Sequence, residues 1–218
     1  MNFAEYRFNR YNFDMPSHNI IRYDVAGAYY HVYARGASKQ PIFLDVADWQ
    51  HFLDLFQRYL SGEPTASKTG RHYPDFQGRI SLVAYCLMGN HFHLFLQQHE
   101  RGDLTAFMRS LMTSYSRYFN LRHKRTGSLF ESRFKASIVD DDAYMMHISR
   151  YIHLNPRSWK YYAYSSIDYY RHGREPKWLD TVIVLDNFAD RKAYIDFLSD
   201  YESYKQGFDE IKHDLADQ

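Results

Sequence analysis

Two histidines separated by a single residue are the first candidates for chemistry in this chain. His91 and His93 follow Gly89 and Asn90 within the segment SLVAYCLMGNHFHLFLQ. Side chains of a strand alternate between its two faces, so both imidazoles would project from the same side. Two neutral imidazoles on a stiff strand can hold a metal ion once a third ligand arrives from elsewhere. The pattern alone also allows a polar strand face in solvent.

A second group of polar side chains stands in RYIHLNP, near the start of the last third of the chain. Tyr151 and Asn155 are four residues apart and therefore share one face of a helix, with His147 one turn earlier. A phenol can act as a nucleophile, and a carboxamide oxygen can act as a neutral ligand. Asn155 with His91 and His93 would form a three-ligand site suited to Mg²⁺ or Mn²⁺ bridging to a phosphate. The alternative is a packed tyrosine and a helix-capping asparagine.

The elements that would position these residues alternate between strands and amphipathic helices. Hydrophobic periodicity and turn residues predict, in order, a strand at 28–35, a helix at 48–60, a hairpin at 80–98, a helix at 103–122, a strand at 133–139 and a helix from 140 to about 155. This order fits an α+β fold in which an antiparallel sheet carries helices packed on one face, with a ferredoxin-like character. A short strand at 42–44 and a terminal helix at 190–204 are also predicted. His31, in the first strand, is interpreted as structural.

Composition limits the class of protein. The chain has 218 residues, of which 45% are hydrophobic and 24% charged, as in ordinary globular proteins. Its single cysteine, Cys86, excludes an internal disulfide framework and a cysteine-rich zinc site. The sequence shows no apolar stretch suited to a signal peptide or long enough to span a membrane. We therefore expect a cytoplasmic protein with no membrane partner.

The net charge of +1 hides a segregated distribution of charge. Between residues 104 and 139, seven basic side chains stand against Glu131, whereas the chain from Glu175 onward has eleven acidic side chains and five basic ones. A basic segment beside a sheet is compatible with contacts to nucleic-acid phosphates, although charged helix faces are often only solvated. The candidates for such contacts are Arg117, Arg122, Lys124, Arg125, Arg133 and Lys135.

Four motifs in order along the chain carry a resemblance to a known family. They are YHVYARG, AYCLMGNHFHLFLQ, SYSRYFNLRHKRTGSLFESRFKA and RYIHLNP. Together they resemble the HUH single-strand endonucleases of the single-tyrosine transposase type, and in particular the REP-associated tyrosine transposases. The resemblance implies an N-terminal arm at 1–19, a ferredoxin-like HUH nuclease and transposase core at 20–156 and a C-terminal extension at 157–218. Gly89 departs from the family, which has proline there, but glycine supports the same turn.

The resemblance also implies roles for individual residues. His91 and His93 would be the histidine pair, Asn155 the third ligand of Mg²⁺ or Mn²⁺, and Tyr151 the nucleophile, with His147 a candidate proton acceptor. The implied function is a metal-dependent single-strand DNA endonuclease and strand transferase, which acts on DNA hairpins from palindromic repeats through a 5′-phosphotyrosine. It would work as a monomer or a homodimer. The alternative is a domesticated protein that binds hairpin DNA without cutting it.

Overall fold

A computed structural model describes residues 24–63, 65–66, 70, 72–139 and 142–201, except for the side chains of 142 and 143. Its elements are β1 (Tyr29–Arg35), α1 (Val46–Leu60), β2 (Ile80–Met88), β3 (His91–Gln98), α2 (Asp103–Arg122), β4 (Lys135–Val139), α3 (Asp142–His153), α4 (Ile167–His172) and α5 (Val182–Leu185). Residues 191–201 are also helical. The arm predicted at 1–19 lies outside the described residues.

The four strands form one antiparallel sheet in the order β2-β3-β1-β4. Strand β1 therefore lies between the histidine strand β3 and the edge strand β4. Its register pairs Arg35 with His91 and Tyr33 with His93 on one side, and Tyr33 with Lys135 on the other. Directly paired residues project from the same face, so these five side chains belong to one surface of the sheet.

One face of the sheet forms the larger hydrophobic core with α1 and α2. The inward side chains of β1 are Tyr30, Val32 and Ala34, which pack in the same cluster as Phe52 of α1 and Phe107 of α2. The alternation of apolar residues in β1 and their helical spacing in α1 and α2 produce this layer directly. The structure thus confirms the predicted α+β fold with an antiparallel sheet, but the helices lie on both faces and not on one: α1 and α2 pack here, and α3 packs on the opposite face because its own apolar side chains meet β2 and β3 there.

The opposite face carries α3 and the chain that follows it. Ile148 and Ile152 of α3 pack in a second cluster with Cys86 of β2 and Phe95 of β3. Phe95 lies two residues after His93, so the histidines point toward the layer that contains α3. The helix that bears the predicted nucleophile is therefore on the same side of the sheet as the histidine pair.

The chain after residue 156 fixes α3 in place. The imidazole of His153 is completely buried, with Nδ1 2.6 Å from the hydroxyl of Tyr194 and Nε2 2.7 Å from Oγ of Ser166. The guanidinium of Arg150 lies between the rings of Phe197 and Tyr201, at 4.1 and 4.2 Å from their centroids. The predicted extension thus packs against the helix that positions the site. The domain boundary at 156 stays a prediction.

The structure differs from the sequence-based prediction at the connection between β1 and α1. Residues 42–44 do not form a strand; instead the amides of Ile42 and Phe43 both donate to the carbonyl of Gly89, at 2.9 and 3.2 Å. Gly89 is not among the glycines with positive φ, so the hairpin turn does not depend on left-handed backbone there. Within the described part of the chain, no helix is long and apolar enough to cross a membrane.

Candidate active site

Strand β3 presents the two histidines at different depths. His93 is 2% exposed, whereas His91, at the start of the strand, is half-buried. Their rings meet edge to face with centroids 5.1 Å apart. Burial lowers the pKa of both imidazoles, and Arg35 acts in the same direction on each. Both side chains are therefore neutral at physiological pH, which is the form that binds a metal.

Helix α3 and the residues just after it bring the second predicted group to the histidines. Oδ1 of Asn155 lies 3.3 Å from Nε2 of His91. The ring of Tyr151 meets the ring of His93 edge-on, with centroids 5.4 Å apart and planes at 88°. The structure thus brings His91, His93, Tyr151 and Asn155 into one cluster, as their spacing in the sequence predicted. Their roles in catalysis stay a prediction.

The tautomer of His91 follows from its neighbour Asn90. The side-chain amide nitrogen of Asn90 donates to the carbonyl of Lys39 at 3.1 Å, which turns its oxygen toward Nδ1 of His91 at 2.6 Å. An amide oxygen only accepts hydrogen bonds, so Nδ1 of His91 carries the proton. Nε2 of the neutral ring then carries no proton, and its lone pair faces Asn155. Sequence analysis assigned Asn90 only to the turn.

These donors fit a divalent cation. Nε2 of His91 and Oδ1 of Asn155 both present lone pairs, and their 3.3 Å separation is close to the roughly 3 Å expected for adjacent ligands around a small octahedral cation. Among the described residues, no group of three or more His, Cys, Asp or Glu side chains forms a metal site. The outer nitrogens of the imidazoles are also engaged, as is usual for metal-binding histidines.

His31 is a member of this cluster that sequence analysis interpreted only as structural. Its Nε2 lies 2.9 Å from Nδ1 of His93, and its ring stacks on that of His93 with centroids 5.1 Å apart. It also meets the Tyr151 ring edge-on at 5.6 Å. This contact follows from the pairing of β1 with β3. The alternation of side chains within β1 does not predict it.

Arg35 supplies positive charge to the same surface. It ends β1 directly opposite His91 and is partly exposed. Burial raises the pKa of Tyr151 and Tyr33 raises it further, whereas Arg35 and a hydrogen bond with Asn155 lower it. Within the described part of the chain, the structure gives the Arg35 guanidinium neither a hydrogen bond nor an ion pair. It is therefore free to meet an anion that enters the site.

His147 occupies a different part of the α3 surface. It is exposed, its Nδ1 lies 2.5 Å from the guanidinium of Arg150, and its ring is 6.2 Å from that of Phe197. These contacts lie toward the C-terminal helical segment. The role of His147 as a proton acceptor stays a prediction.

The six basic candidates are distributed over two sides of the molecule. Lys135 reaches the site: its Nζ lies 5.7 Å from the ring centroid of Tyr33, which is 5.8 Å from that of His93. Arg122, at the end of α2, forms ion pairs with Asp45 and with the fully buried Asp48, each at 2.7 Å. Its charge is therefore balanced within the protein. The remaining candidates, Arg117, Lys124, Arg125 and Arg133, lie on α2 or on the connector to β4, and their DNA contacts stay a prediction.

Comparisons with known proteins agree with this geometry. Residues 75–155, which span the hairpin, α2, β4 and α3, match the model of the family described as IS200-like transposases. A search of the curated proteins found no match.

Two solved structures are similar to this chain. A REP-associated tyrosine transposase bound to a REP hairpin has 13% sequence identity and a TM-score of 0.51, with 74% of this chain and 91% of that chain covered. A protein of Deinococcus radiodurans R1, provisionally described as a transposase, has 19% identity and a TM-score of 0.36, with 63% and 95% covered. The first of these similarities establishes a common fold.

Proposed function

We propose that this chain is an IS200-like tyrosine transposase that cuts and rejoins single-stranded DNA at hairpin-forming repeats. The observation that supports it is the convergence of four side chains: His91 and His93 from β3, Tyr151 from α3 and Asn155 from the turn just after α3. The REP-associated transposase with the same fold was solved with a REP hairpin. By analogy, we propose DNA hairpins from palindromic repeats as the substrate of this chain.

Nucleophilic attack by the Tyr151 phenol would begin the reaction. Its oxygen would form a bond to the scissile phosphorus, and the bond from phosphorus to the 3′-oxygen of the preceding nucleotide would break. The phenolic proton leaves Tyr151, and the departing 3′-oxygen takes up a proton to become a hydroxyl. The product is a 5′-phosphotyrosine and a free 3′-OH, which can rejoin by the same step in reverse.

The environment of Tyr151 bears on the loss of its proton. A phenol with an ordinary pKa near 10 is mostly neutral at physiological pH, and burial raises the pKa of Tyr151 further. The charge of Arg35 and the hydrogen bond with Asn155 oppose that increase. We therefore propose that Arg35 stabilises both the phenolate and the negatively charged phosphate brought next to it. Lys135 at the rim would contact a neighbouring phosphate.

His91, His93 and Asn155 would hold Mg²⁺ or Mn²⁺ through two imidazole nitrogens and an amide oxygen. A bound divalent cation would supply charge that polarises the phosphate and stabilises the transition state. All four side chains come from one chain, which supports a site that a single copy completes. A monomer or a homodimer could both contain such a site.

A covalent-adduct assay tests the proposed function. The protein is incubated with labelled single-stranded hairpins from the repeats that flank its gene, with Mn²⁺, Mg²⁺ or chelator, and separated on a denaturing gel. We expect an adduct that requires metal and disappears in Tyr151→Phe. Tyr118→Phe is the matched control, because its hydroxyl donates to the carbonyl of Ala47 in the layer of α1 and α2. Hairpin retention on a native gel without any adduct would instead favour the non-cleaving binding protein.

A further inference from the structure

His31 is a buried histidine to which the proposed reaction gives no direct part. Its side chain is 6% exposed, and its Nε2 lies 2.9 Å from Nδ1 of His93. The two rings stack with planes at 19°, and the His31 ring also touches Tyr151 edge-on. One side chain of β1 therefore contacts both the deeper imidazole of the site and the phenol.

The hydrogen bond between the two rings has two arrangements with opposite consequences. If His93 donates through Nδ1–H, its Nε2 keeps a free lone pair and can bind a metal. If His31 donates instead, the neutral His93 carries its proton on Nε2 and that nitrogen cannot be a ligand. Only the first arrangement is compatible with a histidine pair that acts through Nε2.

We propose that His31 is a positioning residue, which accepts a hydrogen bond from Nδ1 of His93 and so leaves Nε2 of His93 free for a divalent metal ion. The inference rests on the metal site in the proposed function. Asn90 supports His91 in the same way, because its amide oxygen accepts from Nδ1 of that ring. In both imidazoles, Nε2 is then the nitrogen that carries no proton.

The placement of His31 suits this role for a second reason. It stands two residues before Tyr33, whose register partner is His93, so the two histidines are diagonal neighbours on one face of the sheet. The ring of His31 restricts the rotation of the His93 side chain and also fixes the hydrogen bond between the two rings. Removing the partner of a metal-binding histidine typically weakens metal binding by about 10–100-fold. A purely structural His31 would instead affect the unfolding temperature and leave metal affinity unchanged.

Three variants separate these roles. His31→Leu keeps the site apolar and removes the acceptor, whereas His31→Gln restores an acceptor on a flexible side chain. Val32→Ala is the control for stability, because Val32 is the next residue of β1, is completely buried and faces the layer of α1 and α2. Mn²⁺ affinity is measured on the DNA-free protein from the electron paramagnetic resonance signal of free Mn²⁺. We expect His31→Leu to lose about 10–100-fold in affinity, His31→Gln to recover most of it, and Val32→Ala to bind like the unaltered protein.

A second measurement requires no metal. Nitrogen-15 NMR of labelled histidine side chains reports which ring nitrogen carries the proton, and we expect it to be Nδ1 in His93 of the unaltered protein. A proton on Nε2, or unaltered Mn²⁺ affinity in His31→Leu, would overturn the role of His31. If the unaltered protein bound no Mn²⁺ while His93 carried its proton on Nδ1, the failure would belong to the proposed metal site.

Discussion

Nε2 of His91 and Oδ1 of Asn155 lie 3.3 Å apart, and neither atom carries a hydrogen that could join them. Two facing lone pairs repel each other unless a positive charge lies between them. The residue that removes the hydrogen is Asn90, whose own amide is oriented by the carbonyl of Lys39. The turn before β3 therefore contributes to the chemistry of the site as well as to the hairpin.

Mn²⁺ should stabilise the folded protein through this pair. At ten times the dissociation constant, a single site adds about 1.4 kcal/mol to the free energy of unfolding. Asn155→Ala and His91→Ala should each weaken the site at least about tenfold and so reduce the shift at that concentration to about 0.4 kcal/mol or less. Thermal unfolding with Mn²⁺ and with chelator measures it. Asn187→Ala is the matched control, because its side-chain nitrogen donates to the backbone carbonyls of Ile183 and Val184 in α5; equal shifts in all the variants would contradict the site.

Arg35→Gln should slow adduct formation more than it weakens hairpin binding. The guanidinium is expected to act on charge that develops during the attack, and losing one such group typically costs about 10²–10³ in rate. Arg35→Lys should restore part of the rate, since it keeps the charge without the planar fork. Single-turnover adduct formation at saturating DNA is the measurement. Arg58→Gln, on α1 and stacked over Tyr73, should have no effect; a rate in Arg35→Gln equal to that of Arg58→Gln would remove Arg35 from the mechanism.

Acid should destabilise the protein through its buried histidines. Burial lowers the pKa of His153 from an ordinary 6.5 to about 3, and that of His31 to about 4. The unfolded chain therefore binds protons that the folded chain excludes, so stability is complete above pH 6.5 and declines as the pH falls below it. Each such histidine contributes a slope of about 1.4 kcal/mol per pH unit.

His153→Gln isolates one contribution to this slope. Urea unfolding between pH 5 and 7 should show a weaker pH dependence in the variant, by about one proton, together with a lower stability at pH 7 from the lost contacts with Tyr194 and Ser166. An identical slope in both proteins would mean that His153 becomes protonated without unfolding.

Salt dependence should distinguish Lys135 from Arg122. Lys135 is exposed beside Tyr33, and a phosphate contact there would make Lys135→Ala lose about 0.7–0.9 from the slope of log affinity against log salt concentration. Arg122→Ala should change that slope little and lower stability instead, because its guanidinium already pairs with Asp45 and the buried Asp48. Filter binding of a labelled hairpin at several salt concentrations gives both slopes. An equal loss of slope in both variants would mean that Arg122 also contacts DNA.

The sequence was sufficient to predict the four strands of the sheet, the helices α1, α2 and α3, and the four residues that converge; it did not predict α4 or α5. Alternation in β3 fixed the common face of His91 and His93, and helical spacing fixed that of Tyr151 and Asn155. Both patterns are local, so they can be recognised in the sequence without knowledge of the tertiary structure. The α+β sheet followed from the same periodicities.

The partners of those residues depended on strand order, which local patterns do not contain. His31 and Arg35 lie on the same face of β1, as the alternation of side chains along a strand predicts. Only the pairing of β1 with β3 places them beside His93 and His91. Similarly, the basic residues around Arg122 look like one continuous surface in the sequence. The structure shows that Asp48 of α1 and Asp45 of the turn before it form ion pairs with Arg122. Long-range neighbours decide whether a charge is available to a ligand.

The placement of Tyr151 and Asn155 on consecutive turns of the same chain segment has a mechanical consequence. Under the proposed assignment, any displacement large enough to carry the tyrosine away from the histidines would also withdraw the amide ligand. Cleavage and metal retention would then switch off together, and exchange of DNA ends would have to proceed by movement of the DNA against a stationary helix. The hydrogen bonds of buried His153 with Tyr194 and Ser166 hold this helix against the C-terminal part of the chain.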